Sequence, residues 1–476
     1  MRPLPLIEAL FVASFVTLAA VSLHEGEPPL PAIDVEALSA GPAREYWMGL
    51  FLEGRHVGYA VSREAETADG GRVFSQKSAF RMSAMGDVQD VVAVGAAVTD
   101  AQGRLARFDF MLSAPAVLYG RGEVREGAIH LEIVQGGEVQ TITIPTTEPP
   151  ALSQTLGAQI RGRTLVPGES FEVPYFDPVT MTNAPATVTV ESPEVLPDGE
   201  AAWWLRTRFA GFETRRLVDV EGTTLREESP IGLSAVRMTK EEATAATGDP
   251  PDIVALTSVP IDGEPRGARV ALRVGGVEMS RIPSEPPLQT VEGDVVTVSV
   301  PLLQELPSLP VRDGAHPDIA PTLTLPADNP EIVSRARAVV GDAPDRLEAA
   351  RRLHEFVHGY VQKVPTIGVP NGLEVLRSGR GDCNEHTALY VSLARAVGIP
   401  ARIAAGLVYS ERMGDAFYYH AWPEVKLGGP TDWVPIDPTL GQFPADGTHL
   451  KIVTGDLDKQ IEIMGLLGRV KLSLVR

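Results

Sequence analysis

The chain has 476 residues, 44% hydrophobic and 22% charged, with 62 acidic against 42 basic side chains and a formal net charge of −20. That length fits two or three domains with real cores. The acidic balance excludes a nucleic-acid partner and disfavours adsorption to anionic lipid, since both need a basic surface.

In chain order, Arg2 precedes an apolar run from Leu6 to Leu23, broken only by Glu8 and small polar residues. Residues 1–25 read as a cleaved signal peptide, with Ala20-Val21-Ser22 as a small-residue cleavage site, or as an inner-membrane anchor formed by residues 3–23. In both cases the charge asymmetry places the bulk of the chain on the periplasmic or extracellular side. Residues 26–44, rich in Pro, Ala and Gly, form a linker. From Tyr46 the texture is β. Trp47–Leu52, the turn Glu53-Gly54-Arg55 and His56–Val61 make a hairpin, and Val91–Val98 with Leu105–Leu112 and Ile129–Val134 with Val139–Ile144 repeat it. Two Asp-x-x-Gly turns, at 100–103 and 219–222, suggest a duplicated half within a β-rich domain spanning 45–248. Residues 249–325 form a further β segment, with strands at Arg269–Val274 and Val295–Val300 between Pro-rich stretches.

From residue 326 the pattern turns helical. Asn329 caps a helix with Pro330 at its first position and Gly341 past its end. A second helix runs from about Pro344 to Tyr360, with Leu347, Ala350, Leu353 and Val357 at helical spacing. After a loop at 365–372, a third spans about Cys383 to Val397, stopped by Gly398. Strands follow at 401–408, 420–427, 433–436 and 470–475.

Cys383 is the chain's one cysteine, so it has no internal disulfide partner. It stands in Gly381-Asp382-Cys383-Asn384-Glu385-His386, at a helix start, where the dipole is expected to lower a thiol's pKa. Thiol catalysis needs a nucleophile, a base and a group that fixes the base's tautomer. His420, in Tyr419-His420-Ala421-Trp422-Pro423, and Asp437, in Val434-Pro435-Ile436-Asp437-Pro438, supply the other two from neighbouring strands. His386 competes as the base. A second motif, His354-Glu355-Phe356-Val357-His358, matches the zinc-peptidase pattern H-E-x-x-H on a helix, but no good third ligand follows it. A third reading makes the protein a non-enzymatic envelope binding or assembly protein with a vestigial thiol domain.

Gly381-Asp382-Cys383, Leu393–Arg402, His420–Val425 and Trp433–Pro438, in that order, resemble the bacterial transglutaminase-like superfamily over residues 326–460. The resemblance implies an α+β architecture: a transglutaminase-like (papain-like) catalytic domain at 326–476, preceded by β-rich domains. It also implies acyl transfer through a thioester, with Cys383 as nucleophile, His420 as base and Asp437 as orienting carboxylate. The acceptor is water or an amine, and the partner is a protein or peptide substrate. Unlike animal transglutaminases, the chain has no tryptophan between 326 and 383. The Cys383 backbone N–H is then one oxyanion donor, and Gln362 and Asn371 are candidates for the second. Glu385, His386 and Trp422 are candidate cleft residues. No cofactor or metal is expected, and no acidic loop has calcium-site spacing.

Overall fold

The computed structural model describes residues 33–475, except 115, 136–137, 230–231, 246–247, 313–315, 365–368, 429–432, 457–458, 461–462, 464–465 and 467–468. The N-terminal segment read as a signal peptide or anchor, residues 1–25, lies outside the described residues. Among those described, no helix is long and apolar enough to cross a membrane. The chain divides into two compact units at 252/253.

The first unit opens with a turn of helix, α1 (Val35–Leu38), and then runs through fourteen strands. They are β1 (Arg44–Leu52), β2 (Arg55–Glu66), β3 (Arg72–Ala84), β4 (Asp87–Thr99), β5 (Leu105–Ala114), β6 (Ala116–Arg125), β7 (Ala128–Gln135), β8 (Glu138–Pro145), β9 (Ser170–Asp177), β10 (Thr182–Val195), β11 (Ala201–Phe209), β12 (Phe212–Asp219), β13 (Thr224–Glu228) and β14 (Leu233–Met238). One antiparallel sheet holds them all, in the order β8 to β1 and then β14 to β9. Two meanders therefore join where β1 pairs with β14. The alternation seen in sequence is real: Ile129, Leu131 and Ile133 are fully buried on one face of β7, while His130, Glu132 and Val134 are only half-buried. The β1–β2 turn takes positive φ at Glu53 and Gly54, as a two-residue hairpin of this hand requires. The turns at 100–103 and 219–222 share one geometry, with each aspartate carboxylate accepting the N–H groups two and four residues on. Helix α2 (Leu156–Ile160) packs Leu156 and Ile160 into a core of Val173, Val188, Leu205 and Val218. Each such side chain contributes about 1.5–3 kcal/mol on burial. Helix α3 (Lys240–Thr244) closes the unit behind a Thr239/Glu242 capping box.

The second unit begins with α4 (Ile253–Leu256) and β15 (Val259–Pro260). Strands β16 (Arg269–Gly275), β17 (Gln289–Glu292) and β18 (Val295–Ser299) form a sheet with the last strand of the chain, β25 (Lys471–Leu474). The β segment read at 249–325 thus belongs, from Ile253 onward, to the same unit as the helical residues that follow it. Helix α5 (Pro330–Val340) starts at the Asn329 cap and ends at Gly341. Helix α6 (Arg346–Tyr360) starts two residues later than the sequence suggests, because the Asp345 carboxylate accepts the Glu348 N–H and fixes the cap there. A helix the sequence did not reveal, α7 (Gly372–Ser378), follows β19 (Gln362–Lys363). Seven residues are too few to show a helical period. After β20 (Arg380–Gly381) comes α8 (Cys383–Ala396), in which every residue from Cys383 to Ala394 is buried.

Helix α8 is the centre of the unit. It packs against α5, α6 and α7 and against β21 (Ala401–Ser410) and β22 (Ala416–Lys426). These strands join β23 (Trp433–Pro435), β24 (Leu450–Thr454) and β15 in a five-stranded sheet, with β23 and β15 both on β22. Ten consecutive residues of β22 are buried, the pattern of a strand covered on both faces. Buried Lys451 bonds Glu424 (2.7 Å) and Glu285 (2.8 Å), while Arg402 bonds the same two carboxylates (2.6 and 2.9 Å). This charge-balanced cluster ties β21, β22 and β24 together.

Candidate active site

The first turn of α8 is built by its cap. The Asp382 carboxylate accepts the Asn384 N–H (2.6 Å), and Glu385 reaches back to the Asp382 N–H (2.9 Å). Position 381 must be glycine, because a Cβ there would lie 2.2 Å from the Glu385 Cβ. Cys383 follows as the first helical residue, where the backbone N–H has no intrahelical acceptor. The Thr387 hydroxyl donates to the Ala421 carbonyl (3.1 Å), and the Ala421 N–H donates to the Cys383 sulfur. The thiol is thereby set against β22 at Ala421, the residue that follows His420 in the strand. The expected lowering of its pKa is not found. Burial pushes the Cys383 thiol well above its usual range, and the Asp382 and Glu385 carboxylates push the same way. Burial, with Glu385 beside it, likewise holds Asp382 well above the usual carboxylate range. The helix start has drawn in acidic groups of its own, and these oppose the dipole at the sulfur.

His420 lies inside β22, opposite Gly406 of β21. Strand β23 pairs Glu424 with Pro435, and the Ile436 N–H donates to the Pro423 carbonyl (3.0 Å). Continuing that register sets Asp437 opposite Trp422, one diagonal from His420. The His420 Nε2–H donates to Asp437 Oδ2 at 2.7 Å, with both side chains buried. Its other nitrogen, Nδ1, is then the basic one. Asp437 Oδ1 accepts the Leu440 N–H (2.8 Å), and its backbone exchanges two 2.8 Å bonds with Gln442. Despite full burial, the two imidazoles at its carboxylate, His420 and His449, hold Asp437 well below the usual carboxylate range.

His449 was not found in the sequence. It precedes β24, a five-residue strand that carries a buried lysine and shows no clear alternation. Its Nε2 lies 3.2 Å from Asp437 Oδ2 and its Nδ1 lies 3.2 Å from Asp446 Oδ1. A histidine at the head of a short apolar run was the only signal.

The other candidates scatter. Gln362 is exposed on β19, beside β20. Asn371 caps α7: its Oδ1 accepts the Leu373 and Glu374 N–H groups, and its Nδ2 donates to the Leu323 carbonyl (3.0 Å). Its side chain is committed to the fold, which removes the reason to read it as an oxyanion donor. Glu385 belongs to the capping box. His386 is fully buried and donates from Nδ1 to the Asp382 carbonyl; burial pushes its pKa down to about 4. Without a carboxylate partner among the described residues, it lacks what fits His420 to act as a base. Trp422 is buried, stacked 6.2 Å from His420 and edge-on to His449 at 5.1 Å. Among the described residues, four buried polar atoms on these elements have no partner: Asn384 Oδ1, His386 Nε2, Trp422 Nε1 and Thr439 Oγ1.

The H-E-x-x-H histidines face backbone. His354 Nε2 donates to the Asp437 carbonyl (3.2 Å) and His358 Nδ1 to the Pro438 carbonyl (2.7 Å), so the i, i+4 pair on α6 clamps the turn that carries the orienting carboxylate. Neither belongs to a three-ligand cluster among the described residues. The one such cluster is His420, Asp437 and His449, whose donor atoms lie within 4.8 Å of one another. Its His420–Asp437 contact of 2.7 Å is a hydrogen-bond length, shorter than the roughly 3.3 Å between two ligands on a tetrahedral zinc at about 2.0 Å, while the His449–Asp437 contact of 3.2 Å fits both. We therefore read the cluster as a hydrogen-bonded network.

A model of the transglutaminase-like superfamily matches residues 333–438. No curated protein matches the chain. Among solved structures, the chain is similar to a candidate cysteine protease from Cytophaga hutchinsonii (18% identity, 43% of this chain and 83% of that one, TM-score 0.30). It is also similar to a β-barrel-like protein of a domain of unknown function, DUF1849, from Brucella abortus (11% identity, 41% and 96%, TM-score 0.32). A third is a candidate protease from Parabacteroides distasonis (10% identity, 70% and 69%, TM-score 0.19). By their match to the family model, residues 333–438 carry a transglutaminase-like domain.

Proposed function

We propose that the protein is a thiol acyl-transfer enzyme acting on polypeptide amides, with water as the principal acceptor. The observation that carries this is the 2.7 Å bond from His420 Nε2 to Asp437, with the Cys383 sulfur bonded by the very next residue of the same strand. The high thiol pKa favours a resting pair of thiol and neutral imidazole. On substrate binding, the S–H proton passes to His420 Nδ1 as the sulfur attacks the amide carbonyl. The resulting imidazolium is stabilised by Asp437. The Cys383 N–H is assigned as one oxyanion donor and the Trp422 indole N–H, buried without an acceptor, as the second. Collapse expels the amine, which takes the proton from His420, and leaves a thioester on Cys383. Water, deprotonated by His420, then attacks the thioester; the acid departs and the thiol is restored. An amine in place of water gives a new amide, the crosslinking outcome. The apolar run behind Arg2 supports export, so the reaction is placed outside the cytoplasm.

Envelope extract incubated with the wild-type chain, followed by thioester trapping and mass spectrometry, tests this. Recovery of peptide acyl groups on Cys383 is the expected result. Absence of any adduct, with normal cell function in a Cys383→Ala strain, would favour a binding or assembly role.

A further inference from the structure

We propose, resting on the acyl-transfer reading above, that His449 is a positioning residue of the site: a charged imidazolium bridging Asp437 and Asp446 that holds the Asp437 carboxylate on His420 and tempers the basicity of the His420 ring. Both ring nitrogens of His449 face carboxylate oxygens at 3.2 Å. A neutral ring would turn a lone pair toward one of them, so both nitrogens carry hydrogen. The ring cannot swing away. It is buried, with Trp422 edge-on at 5.1 Å and His420 at 5.9 Å.

The outer carboxylate is fixed as well. Asp446 Oδ1 accepts the Thr448 N–H (2.9 Å) and hydroxyl (2.5 Å), its Oδ2 accepts from Gln442 Nε2 (2.8 Å), and its N–H donates to Gln442 Oε1 (2.8 Å). Among the described residues, the charged or titratable groups facing His449 are His420 from β22, Asp437 from the turn after β23, and Asp446 from the segment before β24. Held between the two carboxylates, His449 is pushed up to about 9, against the effect of its burial.

Two consequences follow for the chemistry. Asp437 receives three donors, from His420, His449 and Leu440, so its carboxylate has one rotamer in which to meet His420. The cation also offsets part of the Asp437 charge, so His420 returns its proton to a leaving amine more readily than beside an unshared carboxylate.

The test is the pH profile of p-nitrophenyl acetate acylation, read as the p-nitrophenolate burst, in the full chain and in its His449→Gln, His449→Lys and His420→Ala variants. Loss of a positive charge near the Cys383–His420 pair favours its protonated form and disfavours its deprotonated form. The acid limb of the His449→Gln profile, which falls where wild-type His449 is charged, should therefore move to higher pH by about one unit, and His449→Lys should restore its position. An unshifted His449→Gln profile would overturn the proposal, because a merely structural loss lowers the amplitude without moving the limbs. If His420→Ala acylates like the wild type, the acyl-transfer reading itself fails instead. Should the position-449 variants not fold, ring 15N spectra of the wild-type histidines decide. One buried imidazolium at pH 7.5, with contacts to the Trp422 indole, is expected; only neutral buried rings would overturn the proposal. Stoichiometric zinc on the purified chain would also overturn it, in favour of a metal at the same three side chains.

Discussion

Replacing Asp437 by asparagine probes the orienting carboxylate with little change of shape. The wild-type Oδ2 accepts from His420 at 2.7 Å and from His449 at 3.2 Å, while Oδ1 accepts from Leu440 at 2.8 Å. An amide offers one acceptor oxygen and two N–H donors, so whichever way it is turned, at least one N–H donor of the protein meets another: Leu440 in one orientation, His420 and His449 in the other. Breaking a buried pair of this kind costs about 3–5 kcal/mol, and the retained amide oxygen sets the expectation at the lower end, about 3 kcal/mol. That lies within the stability of an ordinary domain, so the variant should stay folded. Catalysis should suffer more. The His420 imidazolium loses its counter-charge and the neutral ring loses its enforced Nε2–H tautomer, which together predict a fall of about 10²–10⁴ in p-nitrophenyl acetate turnover. Urea unfolding by tryptophan fluorescence and steady-state turnover are to be read on the same preparation. A folded Asp437→Asn protein with turnover within threefold of wild type would refute the assignment of Asp437.

Further expectations follow from the same geometry. Asn371→Ala removes the α7 cap and the bond to the Leu323 carbonyl, and should lower the urea stability of the protein by about 2 kcal/mol while turnover per folded molecule is kept; a selective loss of turnover would return Asn371 to the site. His449 has its pKa raised from 6.5 to about 9. Its stabilising contribution is therefore complete below pH 6.5 and lost as pH rises through 9. Wild-type stability should fall by up to about 3 kcal/mol across that window, and an equal fall in His449→Gln would show that another group is responsible. His354→Gln should weaken the clamp on the Asp437 turn and reduce turnover, and elemental analysis should find zinc far below one per chain in both forms; zinc near one per chain, lost in His354→Gln, would revive the H-E-x-x-H reading.

Much of the site was legible because its parts are local. A lone thiol behind a capping box, a histidine in an aromatic strand and an aspartate between Ile436 and Pro438 each sit in short motifs whose order survives in the sequence. The thiol's electrostatics were not legible, since the dipole argument sees only the helix and not the burial or the acids that its cap recruits. His449 and Asp446 escaped because their roles depend on β24 folding back beside β21, a pairing with a bulge at Ala405/Gly406. Gly406 lets the strands approach, as a Cβ there would lie 2.0 Å from the Leu450 carbonyl oxygen. In the first unit, β10 was hidden by Pro185 and Pro193. The structure accommodates both because each faces a single neighbouring strand, Pro185 toward β9 and Pro193 toward β11. The sequence suggested a β-rich domain over 45–248 with a duplicated half, but not that β1 and β14 close fourteen strands into one sheet, since that pairing joins residues almost two hundred positions apart.

The most direct measurement is to map the acyl group after brief reaction with p-nitrophenyl acetate, by mass spectrometry of the quenched protein. One acetyl per chain on the peptide carrying Cys383, released by hydroxylamine and missing from His420→Ala, is the expected result. Acetylation confined to other residues, or an equal yield on Cys383 in the absence of His420, would contradict a nucleophilic thiol served by that histidine.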